Sequence, residues 1–173
     1  MKKVLLVLVV MTLGVNAQSV KLEMKATGYE SAILSFENES SINLYEKSID
    51  WINSIYNSPS EVIQGQVLNK SIVIIGYKSG AFKGAGAVYD IKYRVEMKFK
   101  DGRVMYTFRI LQSGGKGKMY TWDNNYGFKS NGEARSSKMY VKTLTSLNSF
   151  ANELLLNYET YIKSDAESLE DDW

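Results

Sequence analysis

The chain has 173 residues, with 21 Lys and Arg against 19 Asp and Glu, one proline, and neither histidine nor cysteine. Lacking both, it has no Ser-His-Asp or Cys-His nucleophile, no imidazole or thiolate metal ligand, no thiol redox chemistry and no disulfide. The near balance of charge argues against a polyanion-binding chain, and the length suits one domain around one core.

Met1-Lys2-Lys3 is a short basic region, Val4 to Val10 with Met11, Leu13 and Val15 an apolar stretch, and Val15-Asn16-Ala17 sets modest or small side chains ahead of Gln18. This pattern predicts a cleaved secretory signal peptide over residues 1–17. A membrane-spanning helix needs roughly 20 apolar residues, and this run is interrupted before that length. Lys2 and Lys3 leave with the signal, so the remaining chain carries equal numbers of acidic and basic side chains. No cysteine follows the cleavage point, so the product is expected to be periplasmic or extracellular and not a lipoprotein, with no later transmembrane segment. Residues 18–28 are expected as a flexible lead-in, 29–163 as a single α+β domain and 164–173, rich in Asp and Glu, as a solvated acidic tail.

Within the domain, "YESAILSF" reads as a strand. "SSINLYEKSIDWINSIYNSP" reads as a helix: Leu44, Tyr45, Ser48, Ile49, Ile52, Ile55 and Tyr56 recur at three- and four-residue spacing, with Trp51 at the border of the stripe. Ser40 or Ser41 is available as its cap and Pro59 marks its stop. "EVIQGQVLN" and "SIVIIGYKS" follow as strands rich in β-branched residues. "GAFKGAGAV" superficially resembles a phosphate loop, but it lacks the Gly-Lys-Ser/Thr ending and precedes a strand, so it reads as a bulge or connection.

"YDIKYRVEMKFKDGRVMYTFRI" is a hairpin. With Asp101-Gly102 as a two-residue type I′ turn, Phe99 faces Val104, Met97 faces Tyr106, Val95 faces Phe108 and Tyr93 faces Ile110. A one-residue slip would send all of these side chains to the wrong face, so pattern and turn specify one register. The opposite face receives Lys92, Arg94, Glu96, Lys98, Met105, Thr107 and Arg109.

Residues 112–138 hold five glycines and four aromatics without a sustained period. A structureless loop of that length in a compact domain is usually functional or disordered. Tyr120, Trp122, Tyr126 and Phe128 there are candidates for a stacking platform, with Lys116, Lys118 and Asp123 as polar partners. The other reading makes "KMYTWD" a further strand, with the aromatics a satellite core under the last helix. That helix carries Leu144, Leu147, Phe150, Ala151, Leu154, Leu155 and Tyr158 as its stripe, with Thr143 or Ser146 as caps. The whole predicts an α+β fold, an antiparallel sheet with two helices on its apolar face and the other face open.

The run "LYEKSIDW", Val62-Ile63, "IVIIGYKSG" and "YRVEMKFKDGRVMYTF" together resemble a family of secreted Gram-negative bacterial proteins, a domain of unknown function with a fold similar to the TATA-box-binding protein. The resemblance spans roughly residues 33–110. It implies a β-α-β4-α order and an extracytoplasmic setting, and brings no catalytic residues.

The functional expectation is a non-enzymatic binding or interaction module of the bacterial cell envelope. Its partner would be an envelope protein, a peptide or a glycan, contacted through Lys92, Arg94 and Arg109 on the open face or through Tyr120, Trp122 and Tyr126. The alternative is an extracytoplasmic hydrolase working through carboxylates. Neither a metal nor a cofactor is expected, and nucleic acid is not expected as a partner. DNA readers of this fold use apolar wedges and a basic balance, whereas Glu96, Met105 and Thr107 stand among these basic residues, and Arg94 and Arg109 oppose each other.

Overall fold

The computed structural model describes residues 20–84, 86–115 and 117–167. The expected signal peptide, Lys116 and residues 168–173 of the expected tail lie outside them. Two short strands, β1 (Met24–Lys25) and β2 (Gly28–Tyr29), precede β3 (Ala32–Ser35), α1 (Ser41–Ile55) and a single turn, α2 (Pro59–Val62). Then come β4 (Ile63–Val67), β5 (Ser71–Gly84), β6 (Ala87–Lys100), β7 (Arg103–Gly115), β8 (Lys118–Thr121) and the long helix α3 (Lys138–Glu167). The main sheet is six-stranded and antiparallel, in the order β3-β7-β6-β5-β4, with β8 pairing to the end of β7 beyond β3. The expected β-α-β4-α order is therefore present, with β8 and the β1-β2 ribbon added to it.

Strand alternation sorts the faces. In β6, Ile91, Tyr93, Val95, Met97 and Phe99 are buried, and in β7 so are Val104, Tyr106, Phe108 and Ile110. The four expected pairs are all in register: Phe99 with Val104, Met97 with Tyr106, Val95 with Phe108 and Tyr93 with Ile110. The turn between them departs from type I′. Gly102 has φ 73°, whereas the positive φ angles of described non-glycine residues fall at Asn38 and Asn69 and not at Asp101. The cause is tertiary: the turn is held against the β3–α1 connection, Gly102 N–H donating to Glu39 O and Phe36 N–H to Gly102 O, each at 2.8 Å.

Helix α1 is capped by Ser40, whose Oγ accepts from Asn43 N–H at 3.1 Å. It buries Leu44, Tyr45, Ser48, Trp51 and Ile52. Trp51, at the border of the stripe by spacing, is fully buried, and its indole N–H donates to Asn157 Oδ1 of α3 at 2.8 Å. Pro59 does end α1's reach, but as the first residue of α2 rather than as a free breaker. Lys47 is buried at 8 % exposure and is neutralised by Glu39 at 2.8 Å.

Helix α3 begins at Lys138, earlier than the capping expectation, with Val141 N–H donating to Ser137 O. Thr143 and Ser146 lie inside it: Thr143 Oγ1 donates back to Met139 O, and Ser146 Oγ accepts from Lys83 N–H of β5. The helix also continues through Glu167, so residues 164–167 of the expected tail are helical. Both long helices pack on one face, where Leu144, Leu147, Ala151, Leu155, Tyr158 and Ile162 join the sheet's core residues. Tyr93 lies over Gly76 so closely that a Cβ there would overlap its ring.

Within residues 18–28, expected as a flexible lead-in, the backbone is anchored to α3 from Leu22 onward. Leu22 and Met24 are buried, and their backbone is held by two asparagines one turn apart on α3. Asn152 Oδ1 accepts from Leu22 N–H and its Nδ2 donates to Leu22 O; Asn148 Oδ1 accepts from Met24 N–H at 2.9 Å. An extended strand repeats every two residues and a helix face every four, so Leu22 and Met24 meet Asn152 and Asn148 in sequence.

Candidate functional site

Because facing residues of neighbouring strands share a face, the register writes out the open side of the sheet. One row crosses it as Ile33, Met105, Lys98, Ser71 and Val67. Its neighbours are Thr107, Glu96, Val73 and Gly65; then Arg109, Arg94 and Ile75; then Gln112, Lys92 and Tyr77. Basic side chains therefore occupy the centre on β6 and β7, flanked on β5 by Val73, Ile75 and Tyr77. Ile33, Val67 and Tyr77 are all at least half exposed.

The basic centre is organised by one acid. Glu96 Oε2 meets Arg94 Nη1 at 2.9 Å and its Oε1 meets Lys98 Nζ at 3.1 Å. Hydrogen bonding from Lys98, with the charges of Arg94 and Lys98, holds the Glu96 carboxyl below the usual carboxylate range. Glu96 thus partners Arg94, which faces Arg109 as the sequence predicted. Lys92 and Arg109 have no ion-pair partner among the described residues.

Toward the Asp101-Gly102 turn the face hollows into a groove of about 460 Å³, lined by Ile33, Lys98, Phe99, Lys100, Arg103 and Met105. Three cations surround apolar side chains, and no carboxylate lines it. Sequence reasoning missed Lys100, Arg103 and Ile33. The first two are the next facing pair in the hairpin register and were legible by extending it one step. Ile33 arrives only because β3 pairs with β7.

The other acids near this face are engaged in structure. Asp90 accepts from Tyr77 O–H at 2.7 Å, Gly80 N–H at 2.8 Å and Ser79 O–H at 3.1 Å, closing the irregularity in β5 between Lys78 and Phe82. These bonds, chiefly that from Tyr77, lower the Asp90 carboxyl. Asp90 and Glu96 are six residues apart on one strand, about 20 Å, beyond the roughly 10 Å within which paired-carboxylate hydrolysis works. Among the described residues no group of three or more Asp and Glu is placed to hold a metal ion.

The aromatic residues of 112–138 sit on the other side of the sheet. Residues 112–115 complete β7, and Lys118–Thr121 form β8 against it. Trp122 then packs edge-on against Phe82, a core residue, with ring centroids 6.1 Å apart. Tyr126 contacts Trp122 and Tyr140 of α3, and the Arg135 guanidinium lies over Tyr140. Phe128 is buried, and Gly127 meets Leu144. Tyr120 is 65 % exposed and makes no ring contact with Trp122 or Tyr126 among the described pairs. Of "KMYTWD", Lys118–Thr121 form the further strand, and of its two aromatics Trp122 joins core residues while Tyr120 stays exposed. Trp122 and Tyr126 form a satellite core beside α3, and the structure does not bring them together with Lys92, Arg94 and Arg109. Lys118 is exposed, and Asp123 Oδ1 accepts from Asn125 N–H in a local turn.

Residues 31–113 match the family described as a domain of unknown function, DUF4468, with a TBP-like fold. Two solved structures are similar to the chain. One is a DUF4468 family protein from Bacteroides ovatus ATCC 8483, 13% identical, with a TM-score of 0.59 over 77% of this chain and 84% of that one. The other is a TBP-like protein from Parabacteroides distasonis ATCC 8503, 14% identical, with a TM-score of 0.61 over 78% and 91%. At these identities the likeness is one of fold. No curated protein matches the chain.

Proposed function

We propose that this chain, whose residues 31–113 match the DUF4468 family, is an exported, non-enzymatic binding module of the cell envelope that presents the open face of its sheet to a partner. The observation that carries this reading is the groove between Ile33 and Met105, bordered by Lys98, Lys100 and Arg103 and lined by no acid. Such a surface complements an acidic peptide or protein segment that also carries an apolar side chain: the carboxylates meet the cations, and the apolar group covers Ile33. The signal-like residues 1–17 support export. Nucleic acid fits less well, because the face is interrupted by Glu96 and flanked by apolar β5 residues, and fold likeness alone does not transfer function.

Displayed random peptides selected on the chain from Gln18 onward, with counter-selection on a Lys100→Glu/Arg103→Glu variant, test this. Enriched peptides should combine acids with an apolar residue and bind the variant about tenfold or more weakly in calorimetry. A selection that yields no peptide distinguishing the two proteins, with circular dichroism showing both folded, would remove the groove as the site.

A further inference from the structure

A second concavity, of about 790 Å³, lies at the other end of β6, where the β5–β6 hairpin tip meets the start of α3. Ala87, Val88 and Met139 contribute apolar surface to it, and Lys83, Lys138 and Lys142 contribute charge. Val88 is 56% exposed and Met139 37%, so both present free apolar surface. No carboxylate lines the concavity, and none of the three lysines has an ion-pair partner among the described residues.

A helix favours acids in its first turn and disfavours cations there, yet α3 opens with Lys138, has Lys142 one turn later and has no acid in that turn. The positive end of the helix dipole disfavours Lys138 where it stands, and an anion beside it would offset that. Lysine binds phosphate as a point charge, and small-molecule sites of this size combine a mainly apolar lining with a few converging polar groups.

We propose that this concavity binds a phosphate monoester carried on an aliphatic chain, with the phosphate held by Lys138, Lys142 and Lys83 and the chain laid against Val88 and Met139. The site shares no residue with the open-face groove, so the two readings stand or fall separately.

The test is a titration of the chain from Gln18 onward, which contains every described residue, with dodecyl phosphate below its micelle-forming concentration. Inorganic phosphate and a neutral dodecyl glycoside are titrated in parallel. Dodecyl phosphate should saturate, with amide shifts centred on Ala87, Val88 and Met139. Lys138→Gln/Lys142→Gln and Val88→Ser/Met139→Ser should each weaken it about tenfold or more. Lys100→Glu/Arg103→Glu should leave it unchanged. Phosphatidate vesicles then assign the source of the phosphate: sedimentation lost in Lys138→Gln/Lys142→Gln points to a lipid head group, and no sedimentation to a free amphiphile. The proposal is overturned by absence of saturation, by equal affinity in the folded lysine variant, or by inorganic phosphate binding as tightly as the alkyl ester.

Discussion

Asp101 Oδ1 accepts a hydrogen bond from the backbone N–H of Ser41 at 2.8 Å, joining the β6–β7 turn to the first residue of α1 across 60 positions of sequence. A carboxylate at a helix N-terminus satisfies an unpaired donor and meets the positive end of the helix dipole. That bond lowers the Asp101 carboxyl. Its stabilisation is therefore present above the unfolded carboxylate value and is lost as pH falls through the lowered one. Asp101→Ala should reduce the thermal midpoint at neutral pH and bring wild type and variant together in acid. Equal midpoints at both pH values would show the bond to be energetically silent.

Gly76 is the one place in β5 where the close approach of Tyr93 leaves no room for a side chain. Gly76→Ala should cost about 1–3 kcal/mol by overpacking. In a double-mutant cycle with Tyr93→Ala the two costs should be strongly non-additive, because both act on one contact. Additive urea-unfolding energies would show that the ring moves aside.

The buried hydroxyls divide into paired and unpaired. Tyr158 O–H shares a hydrogen bond with Ser48 Oγ at 2.8 Å, whereas Tyr106 O–H, equally buried, has no protein partner. Tyr158→Phe should cost about 0.5–1.5 kcal/mol, and Tyr106→Phe should be neutral or slightly stabilising. A loss at Tyr106→Phe as large as at Tyr158→Phe would reveal a bound water completing the network.

Tyr29, Tyr56, Tyr106 and Tyr158 are all raised above the ordinary phenol value of 10.0, foremost by burial. Their stabilisation is fully present below that value. As pH climbs past it the unfolded chain releases protons that the folded chain keeps, so stability falls until the folded values are reached. Each such tyrosine contributes a slope of about 1.4 kcal/mol per pH unit. Denaturant midpoints should fall steeply above about pH 10, with a shallower slope in Tyr106→Phe. A flat profile to pH 12 would contradict the burial of these hydroxyls.

Much of this architecture is local in origin and was legible from residue order. The β6–β7 register follows from two-residue alternation closed by one turn, and the helical stripes of α1 and α3 follow from three- and four-residue spacing, because each pattern repeats within a few positions. The open basic face came with the register, including the opposition of Arg94 and Arg109. The turn type did not, because the turn is held by Glu39, Phe36 and Ser41, residues far from it in the chain. Nor did the place of Trp122 and Tyr126, which stand in a stretch without period and are positioned by Phe82 and Tyr140.

What the sequence by itself determined is the fold class, the pairing of the central hairpin, which side of it is wet, and the chemistries that a chain without histidine or cysteine lacks. Tertiary structure decided the rest. It docked Leu22 and Met24 on Asn152 and Asn148, turned the glycine-rich stretch into β8 and a satellite core, and brought Ile33 beside Arg103 and Lys98 to make a groove. These outcomes depend on contacts between residues far apart in the chain, each specified by one or two side chains rather than by a repeating pattern, and such contacts leave no periodic signal to read.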